Sequence, residues 1–508
     1  MVYTAVVALT AFAFLGISFF VFHPTNSKSK KDALAASIFI ETNHPLNLAE
    51  RSKICVVGGG IGGASAVYTL RSVLPHAEFL LFEAESTVGG RVKSFRYSNS
   101  VIEAGAAIIH GSNILFKFYA ENVLKYPTFL VESQSFSIYN GGFVFEKSKN
   151  SLVSTVWLLY KYGIDLYKLS SFVNSLLEKF DDIYVLLHQK LESFNTPSDL
   201  WRAVGLFDLT QETLEEYLVR EVGLSKAFIS ELSDAINRCN YGQSSASLNA
   251  LAGMVSLSTT SAGASLWRVK EGNQRVVEGL FDITNTTLHL NEAAERIMRL
   301  PDGRWAVDTT QLATYECDYV IVAAPLFRVI DDHEGKAPVR FVLNNQDSDT
   351  ADDFNRIFSD KKPIYQTTHT TFVKGKLNSA FFRGEGLTIR PLPSAIYTVE
   401  TDRVFFTSVA LQANTTDLFK VFSREALTDE QLNSLFGGRN STFEVVARYP
   451  WKAYPKYSPP DVGSTFVLAE GLYYLNGLEL GASAIEVSSI AGKNVGNLIL
   501  RDIARKLI

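Results

Sequence analysis

Five glycines stand within six positions of the stretch VVGGGIGGASAVYTL, which begins at Val56. Gly58, Gly60 and Gly63 fit the pattern G-x-G-x-x-G. In that pattern the first glycine permits a tight turn, the second lets a pyrophosphate approach the backbone, and the third lets a helix pack closely on a strand. Glu83 follows 20 residues after Gly63, where a carboxylate can accept hydrogen bonds from ribose hydroxyls. These residue types at this spacing indicate a bound dinucleotide.

A second glycine pair, Gly89 and Gly90, directly precedes Arg91. A guanidinium pairs bidentately with phosphate, so this GGR segment suits a second contact with the pyrophosphate. An ordinary turn with a surface arginine is the alternative interpretation of GGR alone, as a ligand-free turn is for the first cluster. The two segments together, with the carboxylate of Glu83 between them, favour the dinucleotide site.

The elements around the glycines have the order that a nucleotide-binding unit requires. Residues 54–57 are an apolar strand, residues 64–74 are compatible with a helix, and a second strand ends at Glu83. Strand, glycine turn, helix and strand open a Rossmann-type unit, with the helix N-terminus directed at the phosphates. The segment DYVIVAAP from Asp318 predicts a buried strand, and LYYLNGLELGASAIE from Leu472 predicts a strand, a turn and a helix.

The middle of the chain predicts a different kind of domain. From Leu169, apolar residues recur with the i, i+3, i+4, i+7 spacing of an amphipathic helix. The stretch LTQETLEEYL predicts another helix, for which Thr210 is the candidate N-cap. A hairpin is expected to turn at Asp302 and Gly303. Residues 361–450 alternate as a half-exposed antiparallel sheet does.

Longer segments narrow the class of protein. EAGAAIIH brings Glu103, Gly105 and His110 behind GGR, and the combination resembles the FAD-binding pattern of the amine oxidase and phytoene desaturase group of flavoproteins. The segments NYGQS, TTFVKGKLN, YPWKAYPKYSPP and LYYLNGLELGASAIE resemble the prenylcysteine oxidase family, also called prenylcysteine lyase. The resemblance runs from about residue 52 to residue 500.

The resemblance implies an α/β fold, α+β overall. A Rossmann-type FAD-binding domain, discontinuous in sequence, is joined to a substrate domain with an antiparallel sheet and a helical insertion. The segments from Asp318 and from Leu472 would complete the FAD-binding domain. The expected parts are a signal or anchor segment with a linker at 1–50, FAD-binding parts at 51–109, 266–345 and 461–508, the helical insertion at 110–265, and the substrate-domain sheet at 346–460.

The resemblance also implies a thioether oxidase. Farnesyl- or geranylgeranyl-cysteine, water and oxygen would give cysteine, a prenyl aldehyde and hydrogen peroxide, with oxygen as the electron acceptor. The flavin would carry the redox step, because a carbon beside both sulfur and an alkene loses a hydride without a strong acid or base. The residues expected to contact FAD are Gly58, Gly60, Gly63, Glu83, Gly89, Gly90, Arg91, Glu103, Gly105, Ala294, Gly477 and Glu479.

Candidates for catalysis and substrate binding follow from the same resemblance. His110 is a candidate for a place beside the flavin, and a structural histidine fits the sequence equally well. Lys374 is a candidate because amine-oxidase-like enzymes often place a lysine near the flavin, while a surface lysine is the default interpretation. The residues expected to line a prenyl tunnel, or else to serve as ordinary packing, are Tyr241, Trp451, Tyr454 and Tyr457.

Two other functions remain compatible with the sequence. One is a flavin oxidase of amines or polyamines on the same fold, which would need aromatic faces and carboxylates around a cation. The other is a secretory protein that binds flavin and lipid without turnover, since Ala106, Ala107, Gly111 and Glu271 differ from the family's usual residues. Anaerobic bleaching of the flavin by farnesylcysteine, or by an amine, would distinguish these functions.

The composition argues against nucleic-acid and metal partners. The net charge of −5 provides no overall basic field for nucleic acid. The sequence has no CxxC motif and no cluster of cysteine and histidine, so no metal is expected. Cys55 and Cys317 lie in or beside apolar strand-like runs, which predicts packed thiols.

The first fifty residues suggest a route through the secretory pathway, to a lysosome or vacuole. Residues 5–22 carry no charge, a run that is long for the core of a signal peptide and short for a membrane span. Lysines follow this run rather than precede it, which is the wrong flank for a standard secretory signal. The segment is therefore expected to be cleaved or to associate the protein with a membrane. Glycosylation sequons that fit this route begin at Asn285, Asn414 and Asn440.

Overall fold

The structure, a computed structural model, describes residues 51–131, 136–146, 151–260, 265–326, 339–342, 364–384, 391–438, 442–460 and 463–507. The strands, in chain order, are β1 (Lys53–Val57), β2 (Glu78–Glu83), β3 (Ser94–Tyr97), β4 (Ser100–Glu103), β5 (Ile109–His110), β6 (Thr128–Leu130), β7 (Phe136–Tyr139), β8 (Phe143–Glu146), β9 (Leu266–Val269), β10 (Thr287–Leu290), β11 (Ala294–Arg299), β12 (Trp305–Thr309), β13 (Thr314–Cys317), β14 (Tyr319–Val322), β15 (Arg340–Val342), β16 (Tyr365–Lys374), β17 (Ala395–Thr398), β18 (Ser408–Leu411), β19 (Leu418–Ser423), β20 (Glu444–Pro455), β21 (Val467–Ala469) and β22 (Leu472–Tyr474).

The α-helices are α1 (Ile61–Val73), α2 (Ile114–Lys117), α3 (Ser151–Tyr162), α4 (Asp165–Tyr184), α5 (Pro197–Ala203), α6 (Leu214–Tyr217), α7 (Lys226–Phe228), α8 (Asp234–Tyr241), α9 (Ala250–Leu257), α10 (Gln274–Ile283), α11 (Ser379–Arg383), α12 (Asp429–Phe436) and α13 (Ile485–Leu507). Short π-helical or 3-10 segments cover Phe118–Val123, Val185–Gln189, Phe207–Thr210, Leu218–Val222, Ile229–Ser233, Ser258–Thr260 and Asn476–Leu480.

The nucleotide-binding unit is built on one sheet whose strands, within the described ranges, run in the order β10-β2-β1-β14-β22-β21. The pairs from β10 through β22 are parallel, and β21 joins the edge antiparallel. β1 and β14 are almost wholly buried, as expected for apolar strands with elements on both faces. This arrangement confirms the predicted strand, glycine turn, helix and strand. The sheet draws strands from each of the parts 51–109, 266–345 and 461–508, whose boundaries stay predictions.

The C-terminal helix α13 packs tightly against α1, the helix that follows the glycine turn. An added Cβ at Gly492 would collide with the carbonyl oxygen of Gly62, and one at Gly496 would lie 2.6 Å from the Thr69 side chain. The Ser65 hydroxyl donates a hydrogen bond to the Ser489 carbonyl oxygen at 2.7 Å. Small residues on both helices therefore bring the end of the chain against the nucleotide-binding turn.

A second sheet, β13-β12-β11-β15, lies beside the first. The predicted hairpin is confirmed: β11 and β12 pair antiparallel, and Gly303 adopts a φ of +88° in the turn between them. The prediction of packed thiols is wrong, because Cys55 and Cys317 form a disulfide with a Cα–Cα distance of 5.9 Å. They meet because β14 starts two residues after Cys317 and pairs with β1, which contains Cys55.

The substrate-domain sheet has the order β20-β16-β19-β18-β17-β7-β8 among the described residues. It is antiparallel, as predicted, except for the parallel pair β17–β7. β7 and β8 come from the segment 110–265, so the predicted helical insertion also contributes two strands to this sheet. Their runs FSIY and FVFE are four residues each. A strand pattern this short is difficult to detect beside the strong helical pattern that follows.

The helical part of the insertion follows the apolar stripe of the sequence. α4 buries Leu169, Val173 and Phe180 on its inner face, as predicted. The predicted N-cap Thr210 is wrong, because Thr213 caps α6 instead. The Thr213 hydroxyl accepts from the Glu216 N–H at 3.2 Å, and the Glu216 carboxylate accepts from the Thr213 N–H at 3.1 Å. This reciprocal pair satisfies two backbone donors, whereas an N-cap at Thr210 would satisfy neither of them.

Three expectations concern membranes, metals and glycosylation. Within the described ranges, no helix is long and apolar enough to cross a bilayer. The same residues contain no group of three or more histidine, cysteine, aspartate or glutamate side chains placed to hold a metal ion. Asn285 and Asn414 are exposed turn residues with φ of +50° and +61°. Asn440 and residues 5–22 lie outside the described residues.

Candidate functional site

The first and third glycines of the turn are required by packing. Gly58 has a φ of +104°, and a Cβ there would lie 2.8 Å from the backbone nitrogen of Ala324. A Cβ on Gly63 would lie 2.8 Å from the carbonyl oxygen of Gly58. Both contacts are with backbone atoms that cannot move aside. Gly58 and Gly63 therefore shape the turn and the approach of α1, while their own surfaces stay inside the protein.

Gly60 differs from these two because it faces open space. Its backbone is extended, with φ −82° and ψ 177°, and the ideal position of a Cβ meets no described atom within 4 Å. Across from it, the Gly89 N–H donates to the Gly59 carbonyl oxygen at 2.8 Å, and a Cβ on Gly90 would lie 3.5 Å from the Gly60 Cα. The two glycine segments thus form one narrow cleft, which is the arrangement predicted for two contacts with a pyrophosphate.

Glu83 lies at the carboxyl end of β2, directly beside the turn. Its carboxylate accepts hydrogen bonds from the Gly59 N–H at 2.7 Å and from the Glu85 N–H at 2.9 Å. Burial raises the pKa of this carboxyl, while the two backbone donors oppose the rise. The side chain is held at the strand end where a ribose would lie, and its contact with the ribose stays a prediction.

A cavity opens at this cleft and extends to the substrate-domain sheet. One wall is formed by Gly60, Gly89 and the first turns of α1 and α13. The opposite wall is the inner face of β16, β19 and β20, which contributes Thr368, Phe422 and Trp451. The cavity therefore joins the nucleotide-binding turn to the second domain, and a ligand bound there touches both.

Arg91 and Glu479 form a bidentate ion pair at the edge of this cavity. The Arg91 side chain also donates to the Ala453 carbonyl oxygen at 2.9 Å, and the Tyr365 hydroxyl donates to the Glu479 carboxylate at 3.3 Å. The Glu479 side chain is 2% exposed, whereas that of Arg91 is 30% exposed. Both arms of the Arg91 guanidinium bind Glu479, and the predicted contact of Arg91 with the pyrophosphate stays a prediction.

Two further residues predicted at the cofactor lie outside the cavity wall. A Cβ on Gly477 would collide with the Ser464 hydroxyl, so Gly477 faces the protein interior while its neighbours Asn476 and Leu478 face the cavity. Ala294 is buried on β11, in the same cluster of buried apolar residues as Val57. The predicted cofactor contacts of Gly477 and Ala294 stay predictions.

The segment after β4 meets the cavity through its backbone. The Glu103 carboxylate points away, accepting from the Ser94 hydroxyl at 2.6 Å and from the Asn273 N–H at 2.8 Å. Ala104 and Gly105 line the cavity, and a side chain at Gly105 would collide with the carbonyl oxygen of Arg91. Gly105 is therefore brought to the site as predicted, whereas the Glu103 side chain anchors the segment instead of facing a ligand.

The four predicted substrate residues divide into two layers. Trp451 and Tyr454 line the cavity, and the Trp451 indole donates to the Thr370 hydroxyl at 3.0 Å. Tyr241 and Tyr457 lie behind Tyr454, with the Tyr241 and Tyr454 rings 5.0 Å apart in an edge-to-face contact. The front pair can contact a ligand, while the back pair fixes the position of Tyr454.

The two candidate catalytic side chains lie away from the cavity. His110 is on β5, where its Nδ1 accepts from the Ser112 N–H at 3.1 Å and its carbonyl oxygen accepts from the Trp267 indole at 3.2 Å. Lys374 is exposed at the end of β16, four residues beyond the cavity-lining Thr370. Four residues of strand span about 13 Å, so the interpretation of Lys374 as a flavin neighbour is corrected.

Lys420 is the charged residue that sequence reasoning missed. It is 8% exposed in the middle of β19, and burial lowers the pKa of its ammonium to about 8 even though the Glu103 carboxylate opposes this. The available signal was a single lysine inside the apolar strand LFKVFS. A cation in that position is rare without a function or a partner.

Three features of the cavity fit a flavin dinucleotide. The open side of Gly60 leaves room for a pyrophosphate at the N-terminus of α1, and the N-terminal turn of α13 also faces the cavity. The side-chain oxygen of Asn476 is buried on the cavity wall without a hydrogen-bond partner among the described residues. An amide oxygen can accept from a ring N–H or a sugar hydroxyl, so a bound flavin would satisfy it.

Comparisons with known proteins agree with this arrangement. Residues 145–507 match the family model described as Prenylcysteine lyase, and residues 56–121 match a model described as NAD(P)-binding Rossmann-like domain. The chain is 33% identical over 471 residues to farnesylcysteine lyase of Arabidopsis thaliana, covering 88% of each chain. It is 31% identical over 480 residues to prenylcysteine oxidase 1 of Rattus norvegicus, covering 89% of each.

Solved structures confirm the fold class. Cyclohexylamine oxidase from Brevibacterium oxydans superimposes with a TM-score of 0.58 at 14% identity, covering 90% of this chain and 100% of that chain. This likeness concerns the fold alone. It confirms the predicted α/β architecture with a Rossmann-type unit and a second, sheet-based domain.

Proposed function

Because the chain belongs to the prenylcysteine lyase family, we propose that it is an FAD-dependent oxidase of farnesyl- or geranylgeranyl-cysteine. The reaction consumes the thioether, water and oxygen, and releases cysteine, a prenyl aldehyde and hydrogen peroxide. The observation that carries the proposal is the single cavity that joins the glycine cleft to the apolar sheet wall. A cofactor and an apolar substrate would meet there.

The residues of the cleft have distinct parts in holding FAD. The carboxylate of Glu83 would accept from the ribose, and the open face of Gly60 would admit the pyrophosphate to the N-terminus of α1. The side-chain oxygen of Asn476 would accept a hydrogen bond from the flavin half. The N-terminal end of α13 adds positive dipole potential near the same region, which favours negative charge.

The chemistry divides between cofactor and protein. Bound FAD would supply the two-electron oxidation of the carbon next to sulfur, with oxygen as the final electron acceptor. The side chains of Phe422, Trp451 and Tyr454 cover the cavity on the substrate side, where they orient the apolar chain and limit entry of water. The geometry shows no acid–base pair on the described wall besides Arg91 and Glu479, and those two neutralise each other.

The amine oxidase alternative fits this wall less well. A cationic amine could use the aromatic faces of this wall, but burial of its charge also requires a free carboxylate nearby. On the described cavity wall the carboxylate is that of Glu479, and Arg91 already holds both of its oxygens. In the proposed thioether the atom bonded to the reacting carbon is an uncharged sulfur, so no carboxylate is needed beside that carbon.

The substrate class is tested by peroxide release from the purified protein. We expect rapid peroxide formation with farnesylcysteine, slow formation with S-allylcysteine and none with spermine. The long chain contributes about 0.8 kcal/mol for each CH2 group buried in the cavity, which the allyl compound lacks. Faster oxidation of spermine than of farnesylcysteine would replace this proposal with the amine oxidase, and reduction of the flavin by neither would indicate a non-catalytic binding protein.

We also propose that the protein matures in the secretory pathway, on its way to a lysosome or vacuole. The Cys55–Cys317 disulfide supports this, since disulfides persist in oxidising compartments. In a eukaryotic host, endoglycosidase treatment should increase the gel mobility of the full-length protein. The triple variant Asn285→Gln/Asn414→Gln/Asn440→Gln should show no such shift, while Asn378→Gln, outside any sequon, should shift like the wild type. A wild-type protein unaffected by the endoglycosidase would contradict this route.

A further inference from the structure

The inner face of β19 carries a lysine among apolar residues. Alternate residues of a strand share one face, so Leu418, Lys420 and Phe422 point to the same side. Phe422 lines the cavity, which fixes that side as the inner face. Phe419 and Val421, on the other side, belong to the apolar cluster beneath α11 and α12.

The Lys420 ammonium has hydrogen-bonding capacity to spare. It donates to the carbonyl oxygen of Glu103 at 3.2 Å and lies 4.9 Å from the centre of the Phe422 ring. An ammonium has three N–H donors, and this lysine makes one hydrogen bond with the described residues. The Glu103 carboxylate is already bonded to Ser94 and Asn273. Lys420 is thus a buried cation without a carboxylate partner in the described part of the chain.

Both of its contacts lead to the cavity wall. Phe422 is part of that wall, and Glu103 directly precedes Ala104, which is also part of it. The ammonium therefore sits just behind the surface that a substrate would touch. A lysine side chain can swing between a carbonyl oxygen behind the wall and an anion in front of it, because its stem has four rotatable bonds.

The other buried cations nearby are already paired. Arg91 binds Glu479 through both arms of its guanidinium and also reaches the Ala453 carbonyl oxygen. Arg238 binds Glu400 and the Thr398 carbonyl oxygen. Lys420, in contrast, keeps N–H donors that can still receive an anion.

The proposed substrate brings such an anion with it. In an S-prenylcysteine the α-carboxylate is separated from the sulfur by two carbon atoms, so it must lie close to the reacting carbon. Burying a carboxylate in an apolar cavity is costly unless a cation and hydrogen bonds receive it. We propose that Lys420 binds the α-carboxylate of the substrate, an assignment that rests on the function proposed above.

The same assignment explains why the lysine is kept in an unfavourable place. Burial lowers the pKa of Lys420 to about 8, which shows that its surroundings disfavour the charged form. An arriving carboxylate would stabilise the ammonium and supply the missing acceptor. The cation would then favour thioethers with a free α-carboxylate over those in which this carboxyl group is esterified or joined in an amide bond.

The test compares the acid with its ester in two proteins. The KM of farnesylcysteine and of farnesylcysteine methyl ester is measured by peroxide release for the wild type and for Lys420→Met. We expect the variant to raise the KM of the acid about tenfold to hundredfold, as for loss of a charge-assisted hydrogen bond. The KM of the ester should change less than about threefold, since it presents no carboxylate to the lysine.

Two controls keep the comparison specific. Lys452→Met removes an exposed lysine on β20, a strand of the same sheet, and should leave both KM values unchanged. Lys420→Arg retains a cation and should keep the preference for the acid. This variant also tests the assignment if Lys420→Met fails to fold. S-dodecylcysteine lacks the allylic carbon, so its binding can be measured without turnover. Its affinity, measured by calorimetry, should be lower for Lys420→Met than for the wild type.

Failure of this assignment differs from failure of the proposed function. If the wild type oxidises farnesylcysteine and Lys420→Met affects the acid and the ester equally, the lysine has a structural role and the assignment is overturned. An arginine variant without preference for the acid would overturn it too. If the wild type oxidises neither compound, the proposed function itself is overturned.

Discussion

Replacing Arg91 with methionine is expected to destabilise the protein more than any other single change of a surface or cavity side chain considered above. The change leaves the Glu479 carboxylate, 2% exposed, without its counter-ion. The Tyr365 hydroxyl at 3.3 Å and the Asn476 amide remain as donors, but neither carries a charge. Removing one partner of a buried ion pair typically costs about 3–5 kcal/mol. Urea unfolding, followed by tryptophan fluorescence, measures the loss.

The double variant Arg91→Met/Glu479→Leu separates lost charge from lost packing. Removing both charges should restore most of the stability, because an apolar pair of similar size often replaces a buried ion pair without loss. Arg96→Met is the matched control: the Arg96 and Glu271 side chains are 76% and 56% exposed, and such pairs contribute about 0–1 kcal/mol. A single variant no less stable than Arg96→Met, or a double variant no better than the single one, would contradict the prediction.

Gly60→Val is expected to produce a folded protein that does not retain its flavin. The extended backbone at Gly60 accepts a branched residue, and the new side chain meets no described protein atom. It projects instead into the cleft opposite Gly90, where the pyrophosphate must approach the backbone. Steric overlap of about 3 kcal/mol or more would lower the affinity for FAD at least about hundredfold. The visible flavin absorption of the purified protein is the measurement.

Gly142→Val is the control for this change. Gly142 is also a glycine whose Cβ position meets no described atom within 4 Å, and it lies in an exposed turn far along the chain from the cleft. That variant should purify with full flavin content and an unchanged thermal midpoint. Retention of FAD by Gly60→Val at the wild-type level would show that the cofactor does not pass this glycine.

The nucleotide-binding half of the fold could be read from the sequence because its signals are local. β1, the glycine turn, α1 and β2 occupy one continuous stretch, and each glycine has a separate steric reason that the structure confirms for Gly58 and Gly63. The hairpin at Gly303 is local in the same sense. The family resemblance was equally readable and is confirmed by the match over residues 145–507.

The sequence does not predict which charged residues form ion pairs, because the two partners lie far apart along the chain. Arg91 and Glu479 are 388 positions apart, and the sequence around either residue does not indicate that the two side chains pair. A guanidinium beside a glycine pair suggests phosphate, yet the fold supplies a carboxylate first. The Cys55–Cys317 disulfide spans 262 positions and follows from the pairing of β14 with β1, which composition does not reveal.

Side-chain direction limited the rest of the site. Lys374 and Lys420 lie in strands of the same sheet. Lys374 is exposed at the last position of β16, whereas Lys420 is buried in the middle of β19. Glu103 and Gly105 are two residues apart, but only the glycine faces the cavity. Such differences depend on register, where a shift of one residue moves a side chain to the other face.

The position of the strands along the chain determines when, during synthesis, the nucleotide-binding sheet can be completed. β22 and α13 complete one wall of the cavity, yet they leave the ribosome more than 400 residues after β1. At common rates of translation that interval lasts about 20–80 s. During that time the glycine turn lacks the wall that α13 supplies, so the nascent chain must keep its apolar strands from premature association until its last segment emerges. If FAD binds as proposed, its cleft is complete only after the last segment has emerged, so the cofactor is expected to bind after translation.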